Sequence, residues 1–201
     1  MIESRPNGRQ KSLVTLRESQ LRVIGGEAKG RRIKSFRNLG ARPTTERVRS
    51  GLFSILDSYG LQDRQALDLY SGTGSLGIEA ISRGAKFVDF VESDRKRCSL
   101  IRNTLNELGF SDRGKVYCMK AENAVKKFSR NYDLILMDPP YTLGPVHEIL
   151  IKVGDIVLDN GLVVVGHSKR DSLENSYHKM NMFTERQYGD TIVSIYRQGG
   201  E

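Results

Sequence analysis

The chain has 201 residues, enough for one complete α/β domain with a small appendage but not for two full domains. A hydrophobic fraction of 38% and a charged fraction of 28% suit a globular chain with a real core, and no stretch approaches the roughly 18 apolar residues that a membrane span needs. The net charge of +8 is segregated: residues 1–49 carry thirteen Lys/Arg against four Asp/Glu, and the rest of the chain is close to balance. Such segregation points to a phosphate-backbone footprint rather than to a uniformly solvated surface. The opening MIESRPNGRQ lacks the apolar core of a secretory signal. Cys98 and Cys118, without CxxC spacing or clustered His, indicate neither a disulfide framework nor a metal site. A reducing cytoplasm is the expected setting.

In chain order, residues 1–20 are polar and aperiodic, with Pro6 and Gly8, and read as a mobile basic tail. Two short β-like runs follow, Leu21–Ile24 and Arg32–Phe36, separated by Gly25, Gly26 and Gly30. They predict a small N-terminal β-hairpin exposing Arg22, Lys29, Arg31, Arg32 and Lys34. Arg37 to Pro43 read as a loop. Thr44 or Thr45 can N-cap a helix whose apolar face is Val48, Leu52, Phe53, Ile55, Leu56 and Tyr59.

From Ala66 strands and helices alternate. Strands are predicted at 66–70, 86–92, 115–119, 133–138 and 161–167, and the clearest helix at 94–108, where Cys98, Ile101, Leu105 and Leu108 share a face. FVDFVE and YDLILMD are apolar on both faces, as in a sheet covered by helices on both sides. The order reads as a doubly wound, mostly parallel α/β sheet. Beyond Ser168 the pattern changes, and 177–197 reads as a terminal antiparallel hairpin turning at Tyr188–Asp190. The chain thus divides into the tail 1–20, a hairpin and loop at 21–43, and a main domain at 44–201.

At the end of the first strand stands LDLYSGTGSLGIEA. Gly72, Gly74 and Gly77 form GxGxxG between strand and helix, where glycine permits a tight turn and close approach of a ligand to backbone amides. Glu92 closes the next strand, placed to accept from both hydroxyls of a ribose. This fits a nucleoside cofactor held by Asp68, Tyr70, Ser71, Gly72, Thr73, Gly74, Gly77, Glu92 and Ser93. The glycines alone leave NAD and S-adenosylmethionine open. Asp68, an acid at the strand end that can meet a cationic ligand, and the lack of room for a second nucleotide favour S-adenosylmethionine.

Asp138-Pro139-Pro140-Tyr141 directly follows YDLILM, so its loop should border the same crevice as the glycines. An exocyclic amine on a purine is a weak nucleophile because its lone pair is delocalised into the ring. A carboxylate and a backbone carbonyl that accept its two N–H bonds draw the nitrogen toward sp³ geometry and free the lone pair for a methyl group. Two prolines stiffen such a loop, and Tyr141 offers a face on which an extruded base can stack. The bland reading is a turn that ends a strand; downstream of a nucleoside-cofactor loop, catalysis is the better one. His147, His167 and His178 are scattered and read as surface or structural.

The LDLYSGTGSLG loop with DPPY resembles the Rossmann-like amino-methyltransferases. The upstream LRVIGGEAKGRRIKSF…RPTTERVRSGLFSIL narrows the resemblance to the RsmD family of 16S rRNA guanine-N2 methyltransferases, over about Leu21 to Arg197. The resemblance implies a sheet of about seven strands, S-adenosylmethionine over Gly72–Gly77, and Glu122 or Asn123 facing its adenine. It implies that Asp138, Pro139 and Tyr141 handle the base, in 16S rRNA or a small-subunit assembly intermediate, by a monomer. It also implies that the hairpin, the Arg42–Thr45 loop (Arg42, Thr44, Thr45) and Arg47 beyond it help hold RNA. Gly166 departs from the family, many of whose members carry an acid there. Competing readings are an adenine-N6 methyltransferase, a nicotinamide oxidoreductase, and a non-catalytic RNA-binding assembly protein.

Overall fold

The computed structural model describes residues 21–35, 44–129, 132–139 and 146–199. The expected tail, the Arg37–Pro43 loop, Pro140 and Tyr141 lie outside the described residues.

The first helix, α1 (Glu46–Asp57), is capped by Thr45 rather than Thr44: the Thr45 hydroxyl accepts from the Val48 amide at 3.4 Å. An alternating series follows: β1 (Gln65–Asp68), α2 (Ser75–Ser82), β2 (Phe87–Glu92), α3 (Arg95–Leu108), β3 (Gly114–Cys118), α4 (Ala121–Lys127), β4 (Tyr132–Met137), α5 (Val146–Val153) and β5 (Val157–Ser168). Asp94 caps α3, accepting from the Arg97 amide at 2.9 Å, and Gly109 ends it in the left-handed conformation. The chain closes with β6 (Ser176–Tyr177), β7 (Met180–Tyr188) and β8 (Thr191–Gln198).

The eight strands form one sheet in the order β3-β2-β1-β4-β5-β8-β7-β6. β1 to β5 pair in parallel, and β8 joins β5 antiparallel. The expected terminal hairpin is β7–β8, with a register shift between Met182 and Thr184. The strand order reverses between β1 and β4, where a doubly wound sheet opens its crevice.

Strand alternation divides the core in two. Ala66, Leu134, Leu136 and Val164 meet Leu52, Phe53, Ile78 and Ile101 from the α1–α3 side. Leu67, Ile135, Met137 and Val163 meet Ala124, Val125, Ile149 and Leu150 from the α4–α5 side. The observed strands differ from expectation at their ends. The first stops at Asp68 instead of residue 70, because Leu69 donates across to Leu136 while Tyr70 and Ser71 turn to Val91. The fifth begins at Val157, four residues early.

The N-terminal runs pair through a single bridge, Arg22 to Arg32. Around that bridge the segment bonds to itself, with the Val23 amide donating to the Arg31 carbonyl at 3.0 Å and the Gly30 amide to the Val23 carbonyl at 2.8 Å, and its intervening backbone is also bound to α2. Ile24 and Gly25 amides donate to the Glu79 carboxylate at 2.8 and 2.7 Å, and the Ala28 amide to the Ser82 hydroxyl at 3.0 Å. Gly26, at φ 73°, lies so close that a Cβ would sit 1.8 Å from the Ser82 carbonyl oxygen. Arg49 completes this junction. It is fully buried, donates to the Arg22 carbonyl at 2.8 Å and stands 3.8 Å from Glu79. Glu79 also accepts from Arg83 Nε at 2.8 Å.

Candidate active site

The glycine loop is built on Asp68. Its carboxylate is buried and accepts from the Gly77 amide at 2.9 Å, which ties the strand end to the start of α2. Ser71 donates its hydroxyl to the Asp68 carbonyl at 2.7 Å, and its amide to Val91 at 3.0 Å. Gly72 and Gly74 are left-handed, at φ 54° and 76°, as the turn requires. Gly77 serves packing: a Cβ there would stand 2.3 Å from the Phe90 ring. Tyr70 also has positive φ, 117°, a costly conformation for a bulky residue and one that concentrates at ligand sites.

Glu92 ends β2 and spans the loop. One oxygen accepts from the Gly72 amide at 2.9 Å, the other from the Asp94 amide at 2.8 Å. Each retains a lone pair for a ribose hydroxyl. Ser93 is exposed beside it, and Thr73 is half-buried in the loop. Of the two candidates on α4, Glu122 is half-buried, while Asn123 is exposed. Burial, then the charge of Glu122, push the Tyr70 phenol up to about 12.

Asp138 follows β4, across the switch point from this loop, and Pro139 beside it is buried. The Asp138 carboxylate accepts from the Thr44 hydroxyl through Oδ2. Its Oδ1 overlies Gly166, where a Cβ would come within 2.8 Å of it. Burial raises the Asp138 pKa, and the Thr44 hydrogen bond opposes that rise. Burial also pushes Asp68 up to about 7; the Gly77 amide opposes this, and the charges of Asp138 and Glu92 add to it. Three carboxylates around a glycine cradle make an electronegative crevice, which suits a cationic ligand carrying a ribose.

The remaining sequence candidates divide between two places. Thr44 lies at Asp138, with Thr45 and the exposed Arg47 just beyond it on α1. Arg22, Lys29, Arg31, Arg32 and Lys34 are all exposed, but they sit on the segment docked at the C-terminal half of α2. Three of these side chains are engaged within the protein. Arg31 donates to the Glu107 and Leu108 carbonyls at the end of α3, Lys34 pairs with Glu107, and Arg22 donates to the Gly30 carbonyl at 2.7 Å. A cation on the last carbonyls of a helix is a helix-end contact first. Arg42 lies outside the described residues.

The histidines take structural partners. His167 is buried and bonded to the Ser194 hydroxyl at 2.9 Å, His147 is bonded to the Tyr177 hydroxyl at 2.6 Å, and His178 stands 3.3 Å from Asp155. The cysteines are free, yet α3 and β3 bring their sulfurs within 2.7 Å beside the Glu92 carbonyl, which sequence spacing did not foresee. Sequence reasoning also missed Arg49 and Glu79. Their one signal was a pair of charges on otherwise apolar helix faces.

Comparison with known proteins agrees with this geometry. The family model described as Conserved hypothetical protein 95 matches residues 21–197. "Ribosomal RNA small subunit methyltransferase D" of Buchnera aphidicola (strain APS) is 32% identical over 78% of this chain and 83% of its own. The protein of the same name in Escherichia coli K12 is 28% identical over 89% and 90%. The solved Escherichia coli yhhF structure aligns with a TM-score of 0.80 at 26% identity, covering 91% of this chain and all of that one. The matched span takes in the switch-point crevice, the glycine loop and Asp138-Pro139 alike, and the chain belongs to the Conserved hypothetical protein 95 (RsmD) family of S-adenosylmethionine-dependent rRNA methyltransferases.

Proposed function

We propose that the protein methylates the exocyclic N2 amine of a guanine in small-subunit (16S) rRNA. The observation that carries this is Asp138, held at the end of β4 by Thr44 and facing the crevice that the glycine loop borders. S-adenosylmethionine, when bound, supplies an electrophilic methyl group on a sulfonium centre. Glu92 holds the ribose hydroxyls, Glu122 stands toward the adenine, and the loop from Asp68 to Gly77 receives the amino-acid end of the ligand. Its positive charge would favour the ionised form of Asp68, which burial otherwise disfavours.

The target base enters on the Asp138 side and stacks on Tyr141. Asp138 accepts one N–H of the amine, and the Pro139 carbonyl accepts the other, which localises the lone pair on nitrogen. Both acceptors are in place before reaction, so no reorganisation is needed as charge develops. Because burial makes the Asp138 carboxylate more basic than it would be in water, it can also take the proton that nitrogen sheds after methylation. Lys29, Arg32 and Arg47, exposed and basic, contact RNA phosphates, and the protein acts as a monomer in the cytoplasm on an assembling small subunit. Among the described residues no helix is long and apolar enough to cross a membrane.

The test is nucleoside mass spectrometry after incubation of 16S rRNA, free or in small-subunit particles, with labelled S-adenosylmethionine. N2-methylguanine is the expected product. N6-methyladenine would keep the mechanism and overturn the substrate. Asp138→Ala should lose transfer while retaining cofactor binding, because its contribution is made in the transition state.

A further inference from the structure

Asp138 is constrained from two sides by residues far away in sequence. Thr44, 94 positions earlier, donates its hydroxyl to Oδ2. β5 passes beneath Oδ1 at Gly166, where any side chain would begin 2.8 Å from that oxygen. A carboxylate at the end of a strand can otherwise turn about its last torsion and present either oxygen. Here one oxygen has a donor, and the other has open space kept for it.

The donor stands next to an anchored helix start. Thr45, next to it, caps α1; Leu52, Phe53 and Leu56 bury that helix on the sheet, and Arg49 ties it to the Arg22 carbonyl and Glu79. A hydroxyl beside so anchored a helix start can restrain its acceptor, and a reacting group needs such restraint.

We propose that Thr44 is the positioning residue of Asp138: it occupies Oδ2 and so assigns Oδ1, above Gly166, to the target amine. The inference rests on the role given to Asp138 above. Its bland competitor is that Thr44 merely ties the segment before α1 to the sheet. The two differ in their effect on titration. A hydroxyl donating to the carboxylate stabilises the charged form, so its loss raises the pH at which Asp138 takes up a proton. Among the described residues, Asp138 and Asp68 on β1 act on each other by charge, and Glu92 on β2 acts on Asp68. β5 places no ionisable side chain at Gly166, and His167 is bonded to Ser194 on β8. Among the described residues before α1, Thr44 contributes its hydroxyl.

The experiment compares Thr44→Val, Thr44→Ser and Gly166→Ala for methyl transfer to 16S rRNA across pH, with cofactor affinity measured by calorimetry. Thr44→Val should lower kcat by roughly ten- to hundredfold, as for loss of a hydrogen bond to a charged group. It should also move the acid limb of the profile to higher pH and leave cofactor affinity unchanged. Thr44→Ser should restore both rate and limb. An acid limb that stays in place in Thr44→Val, or a Ser variant no better than Val, overturns the proposal. If Thr44→Val does not fold, Gly166→Ala decides. Crowding Oδ1 should slow transfer with normal cofactor affinity, and a full rate there shows that Oδ1 is not the receiving atom. Asp138→Ala is run alongside: full activity in it refutes the function assigned to Asp138, whereas an inactive Asp138→Ala with wild-type behaviour in Thr44→Val refutes only the positioning role.

Discussion

Replacing Glu79 with Gln should be among the most damaging conservative changes in this chain, although Glu79 lies outside the crevice. Its carboxylate is fully buried and accepts from the Ile24 and Gly25 amides and from Arg83 Nε, with Arg49 at 3.8 Å. The amide has the same shape but no charge, and it turns an NH₂ toward groups that are all donors. Arg49, itself fully buried, then loses the larger of the two carboxylate charges that act on it, with Glu46 left as the smaller. Burial already lowers the Arg49 pKa against the pull of Glu79, so the unpaired state is strongly disfavoured. Breaking a buried pair from one side costs about 3–5 kcal/mol, which for a domain of this size lowers Tm by about 10 °C. The first segment to come loose should be 21–35, whose backbone donors are the ones left unmatched. Thermal melts with limited proteolysis read both effects. A loss under about 1 kcal/mol, or cleavage that begins elsewhere, would refute the reasoning. Arg49→Met combined with Glu79→Leu should not recover the loss, since the Ile24 and Gly25 amides and Arg83 Nε would still lack their acceptor.

Three further outcomes follow from the same geometry. Because burial pushes Asp68 up to about 7, the folded state binds its proton more tightly than the unfolded chain, where the pKa is about 3.9. That contribution is complete below about pH 4 and is lost as pH rises through about 7. Urea midpoints should therefore show Asp68→Asn gaining on wild type between pH 5 and pH 8, and a constant difference would count against a protonated Asp68. Gly74→Val should abolish cofactor binding in calorimetry, since φ 76° strains any side chain and its Cβ would press on Ile101 at 3.2 Å; wild-type affinity would exclude the loop as the cradle. Lys29→Ala with Arg32→Ala should flatten the salt dependence of RNA binding by a slope of roughly 0.7–0.9 for each phosphate no longer neutralised. Arg31→Ala and Lys34→Ala should act mainly on stability, and a salt-slope change confined to that second pair would reverse the assignment.

The parallel strands were legible because each is a short apolar run between turn signals, and the periodicity of two faces buried by helices is hard to imitate. The placement of the glycine loop and Asp138 at the carboxyl ends of β1 and β4 was legible because each directly follows an apolar strand run. Arg49 and Glu79 were not. Each is a lone charge on an otherwise apolar helix face, and its partners lie in residues 21–35 and in the other's helix, far away in sequence. The partners of the basic segment were hidden too: Arg31 and Lys34 meet the end of α3, more than 70 residues away. The Thr44–Asp138 hydrogen bond joins two motifs that were each recognised separately. Local sequence carries no information about such a meeting. Positive φ at Tyr70 is imposed by neighbours on both sides, since Leu69 bonds toward β4 while Tyr70 and Ser71 bond toward β2.

An open sheet exposes unpaired backbone at its margins, and such margins invite other chains to add strands. Among the described residues β3 forms one margin, and it carries the exposed Lys115, with Lys120 just after it. At the other side β6 is only two residues long, so most of β7 is the real boundary. There the register shift between Met182 and Thr184 bends the strand, and a bend of that kind spoils the regular spacing that an incoming strand would have to match. Exposed Glu185, Arg186 and Gln187 add charge and polarity to the same boundary. Polymerisation through the sheet is thereby obstructed by desolvation of lysines at one margin and by broken spacing at the other, so a chain with this much β-structure can be concentrated without stacking edge to edge.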